Sequence, residues 1–227
     1  MSYSEEKFIA AIAKSFETYR LKGARSPEKI KPLHSYVAQV LSAIWGEMFE
    51  TNFMGENSKE KRLDGKYYPK NIDITVSRNQ KSVFCVGVKF VTSNYKQNAN
   101  NYFESMMGET ANIQTTVIPY AHLIIFRYET PYYKKNETQK PKKIERVNEK
   151  DLTKYLKLAM DAKQAHRPEA LGIMLVDIDE KTRQVNPTQM RQKFSKEFVE
   201  AFERYLSVPA FVDAIEKYKT GFMATNK

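Results

Sequence analysis

Apolar residues early in the chain recur every three to four positions, the spacing of one helix face. Behind Ser4, Glu5 and Glu6, the run Phe8, Ile9, Ile12, Phe16 and Tyr19 predicts an amphipathic helix that Gly23 ends. Ser26 and Pro27 start a second, with Leu33, Val37, Val40, Leu41, Ile44 and Met48 on one stripe. Glu47 follows Leu33 and Val40 at the same heptad interval, which sets it at the edge of that apolar face. Over residues 51–70 the periodicity stops, and turn residues alternate with Lys59, Lys61, Arg62, Lys66 and Lys70, a basic loop in which Tyr67 and Tyr68 are able to start a strand. The period then becomes two. Ile72, Ile74 and Val76 share one face and Asn71, Asp73 and Thr75 the other; Phe84, Val86, Val88 and Phe90 oppose Cys85, Gly87, Lys89 and Val91. The polar residues 77–81 between the two runs predict an antiparallel hairpin that sets Asp73 and Lys89 on one face of neighbouring strands.

Residues 92–101 read as a polar loop, 101–115 as a helix with Tyr102, Phe103, Met106 and Ile113 inward and Glu109 near the boundary, and 121–128 as a strand buried on both faces, with His122 at its start. Residues 132–150 are basic and without regular period for most of their length. A helix from Asp151 to about Gln164, a strand over 170–179 and two helices split at Val208 and Pro209 complete the chain. This order predicts an α/β fold with a mixed central sheet in one domain, 1–227, with N-terminal helices at 4–50, a core at about 60–130 and C-terminal helices at 188–219.

The net charge of +10 turns attention to polyanions, nucleic acid first. Cys85, the sole cysteine, excludes an internal disulfide and reads as a small core residue. No apolar run has the length of a membrane span and the N-terminus lacks the pattern of a signal peptide, so a cytoplasmic protein is expected, with no membrane partner. P-loop, dinucleotide-binding, zinc-cysteine and GxSxG patterns are missing, which removes most cofactor-enzyme readings.

A carboxylate beside an ammonium is either an edge-strand ion pair or the start of a metal site, where Asp73 offers a hard oxygen to magnesium and Lys89 orients a water and offsets phosphate charge. Asp73, thirteen intervening residues, then position 87, one residue and Lys89 resemble the D…(D/E)-x-K signature of PD-(D/E)XK nucleases, with Pro69 as a displaced relative of the motif proline. Over about 33–127 the chain looks like a type II restriction endonuclease, which implies an αβββαβ core. The resemblance further implies Mg2+ as cofactor, double-stranded DNA as substrate, a homodimer, a cognate DNA methyltransferase and a bacterial or archaeal cytoplasm. It implies Asp73 as metal ligand, Lys89 as the residue that activates water, and Glu47 as a second metal-side acid from the first core helix, where the residue otherwise reads as a boundary glutamate.

Gly87 stands where that family carries its second acid. Three explanations are open: an acid supplied from elsewhere, a catalytically disabled enzyme, or an accidental match. The expectation adopted is a disabled or weakened enzyme that binds its site. Ser93, Asn94, Tyr95, Lys96, Gln97 and Asn98 are of types that contact bases and phosphates, or form a polar surface loop. Lys134, Lys135, Lys140, Lys142 and Lys143 are expected on phosphates, with Asn136 or Gln139 near bases. The alternatives are a non-catalytic DNA-binding protein with a nuclease-like fold, and an RNA-binding or RNA-processing protein.

Overall fold

The spacing of apolar residues is realised first in the helices that flank the sheet. In the computed structural model, which describes residues 2–23, 26–55, 59–132 and 141–225, Ser4 caps α1 (Glu5–Lys22) by accepting from the Lys7 amide at 3.4 Å. After a 3-10 turn, Pro27–Ile30, comes α2 (Lys31–Trp45). Then follow β1 (Glu50–Phe53), β2 (Lys61–Asp64), β3 (Pro69–Ile72), β4 (Ile74–Arg78), β5 (Lys81–Val91), α3 (Tyr95–Gln114), β6 (Tyr120–Arg127), β7 (Glu129–Tyr132), β8 (Lys143–Arg146) and α4 (Glu149–Met160). The chain ends with β9 (Leu171–Ile178), β10 (Val185–Pro187), α5 (Met190–Lys193), α6 (Lys196–Tyr205) and α7 (Val208–Thr225).

The main sheet has the order β1-β4-β5-β6-β9-β10. Pairing is antiparallel from β1 through β5, parallel along β5, β6 and β9, and antiparallel again at β10, so the protein is α/β with a mixed sheet. The alternation of β5 decides which face each helix meets. Phe84, Val86, Val88 and Phe90 pack with Phe8, Ile12, Phe16, Leu33, Trp45, Phe211 and Ile215, so α1, α2 and α7 cover that face. On the other side Ile124, Phe126, Ile173 and Leu175 meet Met106, Leu152, Tyr155 and Phe202 of α3, α4 and α6. A third, small core joins Leu63 and Ile72 of the β2–β3 hairpin to Cys85, Ile113 and Tyr120. Among the described residues no helix is long and apolar enough to cross a membrane.

Several sequence expectations are corrected. Gly46, at φ +82, ends α2 at Trp45, so Glu47 and Met48 fall in an exposed turn instead of on the helix stripe. Residues 51–70 are not one loop: β1 pairs with β4 and supplies the first strand of the meander, while β2 and β3 form a separate hairpin that holds the position expected of the strand near Tyr67. The run 71–76 is broken at Asp73, and Ile72 and Ile74 consequently enter different cores. Asn79 and Gln80, at φ 49 and 65, make the β4–β5 connection a two-residue turn, tighter than the five residues expected. Helix α3 begins at Tyr95, six residues earlier than its apolar pattern suggests. Asn148, in a capping box with Asp151, starts α4, which ends at Met160. Part of the segment 132–150 is strand, since β8 pairs with β7.

Candidate active site

Strand β5 sends Gly87 and Lys89 to the face that α3 only partly covers. Next to them, the chain leaves the small hairpin sheet and enters the main sheet, and Asp73 is the residue at that bend. Its Oδ2 accepts from the Val88 amide at 2.8 Å, so the carboxylate takes over where the β4 ladder stops at Ile74 and Val86. Asp73, Gly87 and Lys89 line one cleft of about 200 Å3 together with Lys70 from β3, Tyr102 and Glu109 from α3, and His122 from β6. The two residues the sequence reading pairs therefore share one side of the sheet.

Helix α3 supplies the wall. Tyr102 and Glu109 are seven apart and so lie on one face two turns from each other. The Lys89 Nζ sits 4.4 Å from the Tyr102 ring centroid, a cation–π contact. The Lys70 Nζ pairs with Glu109 Oε1 at 2.9 Å. Among the described residues no group of three or more His, Cys, Asp and Glu side chains is placed to hold one metal ion. Two carboxylates, Asp73 and Glu109, open on the cleft, and a magnesium ion, which keeps several waters, commonly uses one or two.

Gly87 is not a vacant position. It is the register partner of His122 across the parallel β5–β6 ladder, and a Cβ built on it falls 2.9 Å from His122 Nδ1 and 2.9 Å from the Tyr120 hydroxyl. The Thr110 hydroxyl donates to the Met106 carbonyl at 2.7 Å and lies 2.9 Å from His122 Nε2. With its one hydrogen engaged there, the hydroxyl accepts from Nε2–H, and the Nδ1 of a neutral imidazole is left as an acceptor above Gly87.

Burial dominates the electrostatics. It lifts the Asp73 carboxyl from 3.8 to about 6, with Glu109 adding to the rise; the Val88 amide, Lys70 and Lys89 oppose it. It lowers His122 to about 3, helped by Lys70 and Lys89, so the ring stays neutral. Lys89 is open to solvent on its strand, yet desolvation pulls its ammonium below the ordinary value against the pull of Glu109 and Asp73. A carboxyl that is hard to ionise and faces two lysines is one that a bound cation would stabilise in its charged form.

The other predicted site residues are distributed differently. Glu47 is exposed in the turn after α2 and does not line the cleft. Tyr95 is buried edge-on against Phe126, with centroids 4.9 Å apart, and Lys96 pairs with Asp151. Ser93 is half-buried; Asn94, at φ 56, accepts through its carbonyl from Asn98 Nδ2 at 3.0 Å, and Asn94 and Gln97 are exposed. From Tyr95 on, the expected polar loop is thus the start of α3, packed on α4. Lys142 is exposed, while Lys143 bonds Glu145 at 2.6 Å and lies 4.7 Å from the Tyr132 ring centroid. Lys134, Lys135, Asn136, Gln139 and Lys140 lie outside the described residues.

Sequence reasoning missed Lys70, Tyr102, Glu109 and His122 as members of the site. The heptad spacing of Tyr102 and Glu109 was the available signal for two of them. Compared with family models, with curated proteins and with solved structures, the chain matches none.

Proposed function

We propose that the cleft is a Mg2+-dependent phosphodiesterase centre of the PD-(D/E)XK kind, acting on double-stranded DNA, with Asp73, Glu109 and Lys89 as its working residues. The observation that carries the reading is the meeting of Asp73 and Lys89 in one cleft beside a second carboxylate. With the β2–β3 hairpin, a separate sheet, inserted after β1, the remaining order α2, β1, β4, β5, α3, β6, with β5 and β6 parallel, supports it as the αβββαβ arrangement of that superfamily.

Asp73 and Glu109 would hold the ion, which supplies Lewis-acid charge and lowers the pKa of a coordinated water. Asp73 is charged above about pH 6 and is held in place by the Val88 amide. Lys89, set against Tyr102, orients the attacking water and offsets charge on the phosphate. Glu109 does the work that an acid at position 87 does elsewhere, because the space above Gly87 belongs to His122 and Tyr120. Recognition of a specific site, action as a homodimer, a cognate methyltransferase and residence in a bacterial or archaeal cytoplasm belong to the restriction-endonuclease form of this reading. A second reading, a DNA-binding protein without catalysis, is favoured by the Lys70–Glu109 pair, which already neutralises the second carboxylate.

Incubation of supercoiled plasmid with the protein in Mg2+ and in EDTA separates the two. The nuclease reading expects metal-dependent nicked or linear DNA that Lys89→Ala abolishes. Intact plasmid in both, with retained DNA binding, gives the second reading.

A further inference from the structure

Away from the cleft floor, the β2–β3 hairpin ends in a tip whose backbone is fastened to one buried side chain. Asn112 of α3, 1% exposed, accepts through Oδ1 from the amides of Tyr67 at 2.9 Å and Tyr68 at 3.3 Å, and donates from Nδ2 to the Tyr68 carbonyl at 2.9 Å. The Lys66 amide donates to the Asn112 carbonyl at 2.8 Å. Gly65 passes so close that a Cβ there would fall 2.1 Å from Asn112 Nδ2, and Leu63 and Ile72 root the hairpin in the small core.

The tip is therefore fixed while its two aromatic side chains are not covered. Tyr67 is 74% exposed and Tyr68 48%. Solvent-facing rings on a fixed backbone are partly organised in advance for a flat partner, because the main chain beneath them has little ordering entropy left to lose on contact. The charge around them selects the partner. Between Lys61 and Ile72 the hairpin carries four basic residues, Lys61, Arg62, Lys66 and Lys70, against one acid, Asp64. The Lys66 Nζ stands 5.4 Å from the Tyr67 ring centroid, and Arg62 is exposed. Lys70, three residues beyond Tyr67, reaches the cleft and meets Glu109. Three residues of chain span at most about 10 Å. That is no more than about three base steps along a stacked strand.

We propose that this tip is a base-stacking platform: Tyr67 and Tyr68 receive unpaired bases of a DNA strand whose phosphates lie on Lys66 and Arg62 and whose following nucleotides lead toward the cleft. The substrate class is DNA with an unpaired stretch beside a duplex, an overhang, flap or bubble. The position of the scissile phosphate rests on the nuclease reading; the binding does not. Stacking on aromatic side chains accepts any base, so the platform sets where a strand is held without setting its sequence.

The test is fluorescence anisotropy in EDTA at one salt concentration, with a labelled single-stranded oligonucleotide and its blunt duplex. Wild type is compared with Tyr67→Ala/Tyr68→Ala and Tyr67→Phe/Tyr68→Phe. The alanine pair should bind the single strand at least about tenfold more weakly, the phenylalanine pair within about twofold of wild type, and the slope of affinity against salt should not change, since no phosphate contact is lost. Equal binding by all three proteins, an equal loss on blunt duplex, or failure of wild type to bind the single strand overturns the platform. Absence of Mg2+-dependent cleavage of both plasmid and a flapped duplex, with this pattern intact, removes the nuclease reading and leaves the platform.

Discussion

A Cβ on Gly87 would stand 2.9 Å from the Nδ1 of His122, the residue that faces it across the β5–β6 ladder, and 2.9 Å from the Tyr120 hydroxyl. Both rings are buried, so neither can swing aside cheaply. Glycine at 87 is thus matched to its neighbours. Gly87→Ala should destabilise the protein by about 1–3 kcal/mol through overpacking. Gly87→Glu should destabilise it at least as much and leave DNA cleavage no faster than in wild type. Urea denaturation and plasmid cleavage on the same preparations check both; a Gly87→Glu protein of unchanged stability and raised activity would restore the disabled-enzyme explanation.

Asp73 links the cleft to pH. Its carboxyl titrates near 3.8 when unfolded and near 6 in the fold. As pH rises between those values the unfolded chain gives up a proton that the folded chain retains, so folding loses stability across about pH 4 to 6 and keeps the deficit above it. The displacement corresponds to about 3 kcal/mol at most. Asp73→Asn should have a stability advantage over wild type that is near zero at pH 4 and grows through pH 6, read from urea melts at pH 4, 5, 6 and 7. Above pH 6, Mg2+ should stabilise wild type and not the variant.

Thr110 fixes the imidazole of His122. Thr110→Val leaves Nε2–H buried without an acceptor, at a cost of about 1–3 kcal/mol. Thr110→Ser keeps the hydroxyl and should recover most of that stability. Equal denaturation midpoints for the valine and serine variants would show that the 2.9 Å contact contributes nothing.

What the sequence made legible followed side-chain burial. The apolar row of β5, the buried strand β6 and the split before Val208 stand as read, because a period of two or of 3.6 is imposed by the core, although the two helices expected over 188–219 are a short α5, then α6, then an α7 that runs on to Thr225. The short strands β1 and β2 were illegible for the opposite reason. Residues such as Glu50, Asn52, Lys61 and Asp64 are held by backbone pairing and carry little apolar pattern. The bend at Asp73 was hidden because Ile72 and Ile74 keep the alternation in sequence while packing into separate cores. Glu47 was drawn into the site by its heptad spacing, although Gly46, with the positive φ typical of a helix end, stands directly before it. Glu109 required the opposite step, a reading of which α3 residues share the Tyr102 face.

The proposed centre is tested most directly by the rate of Mg2+-dependent DNA cleavage by Glu109→Gln, measured beside wild type and Glu47→Gln. A metal ion at such a centre supplies several kcal/mol of transition-state stabilisation, and on the proposed reading Glu109 would help to hold it. The loss expected for Glu109→Gln is therefore at least about a hundredfold. Glu47→Gln, altered in an exposed turn, should cleave at the wild-type rate. Undiminished cleavage by Glu109→Gln, or a collapse with Glu47→Gln instead, would contradict the assignment of the second acid to α3.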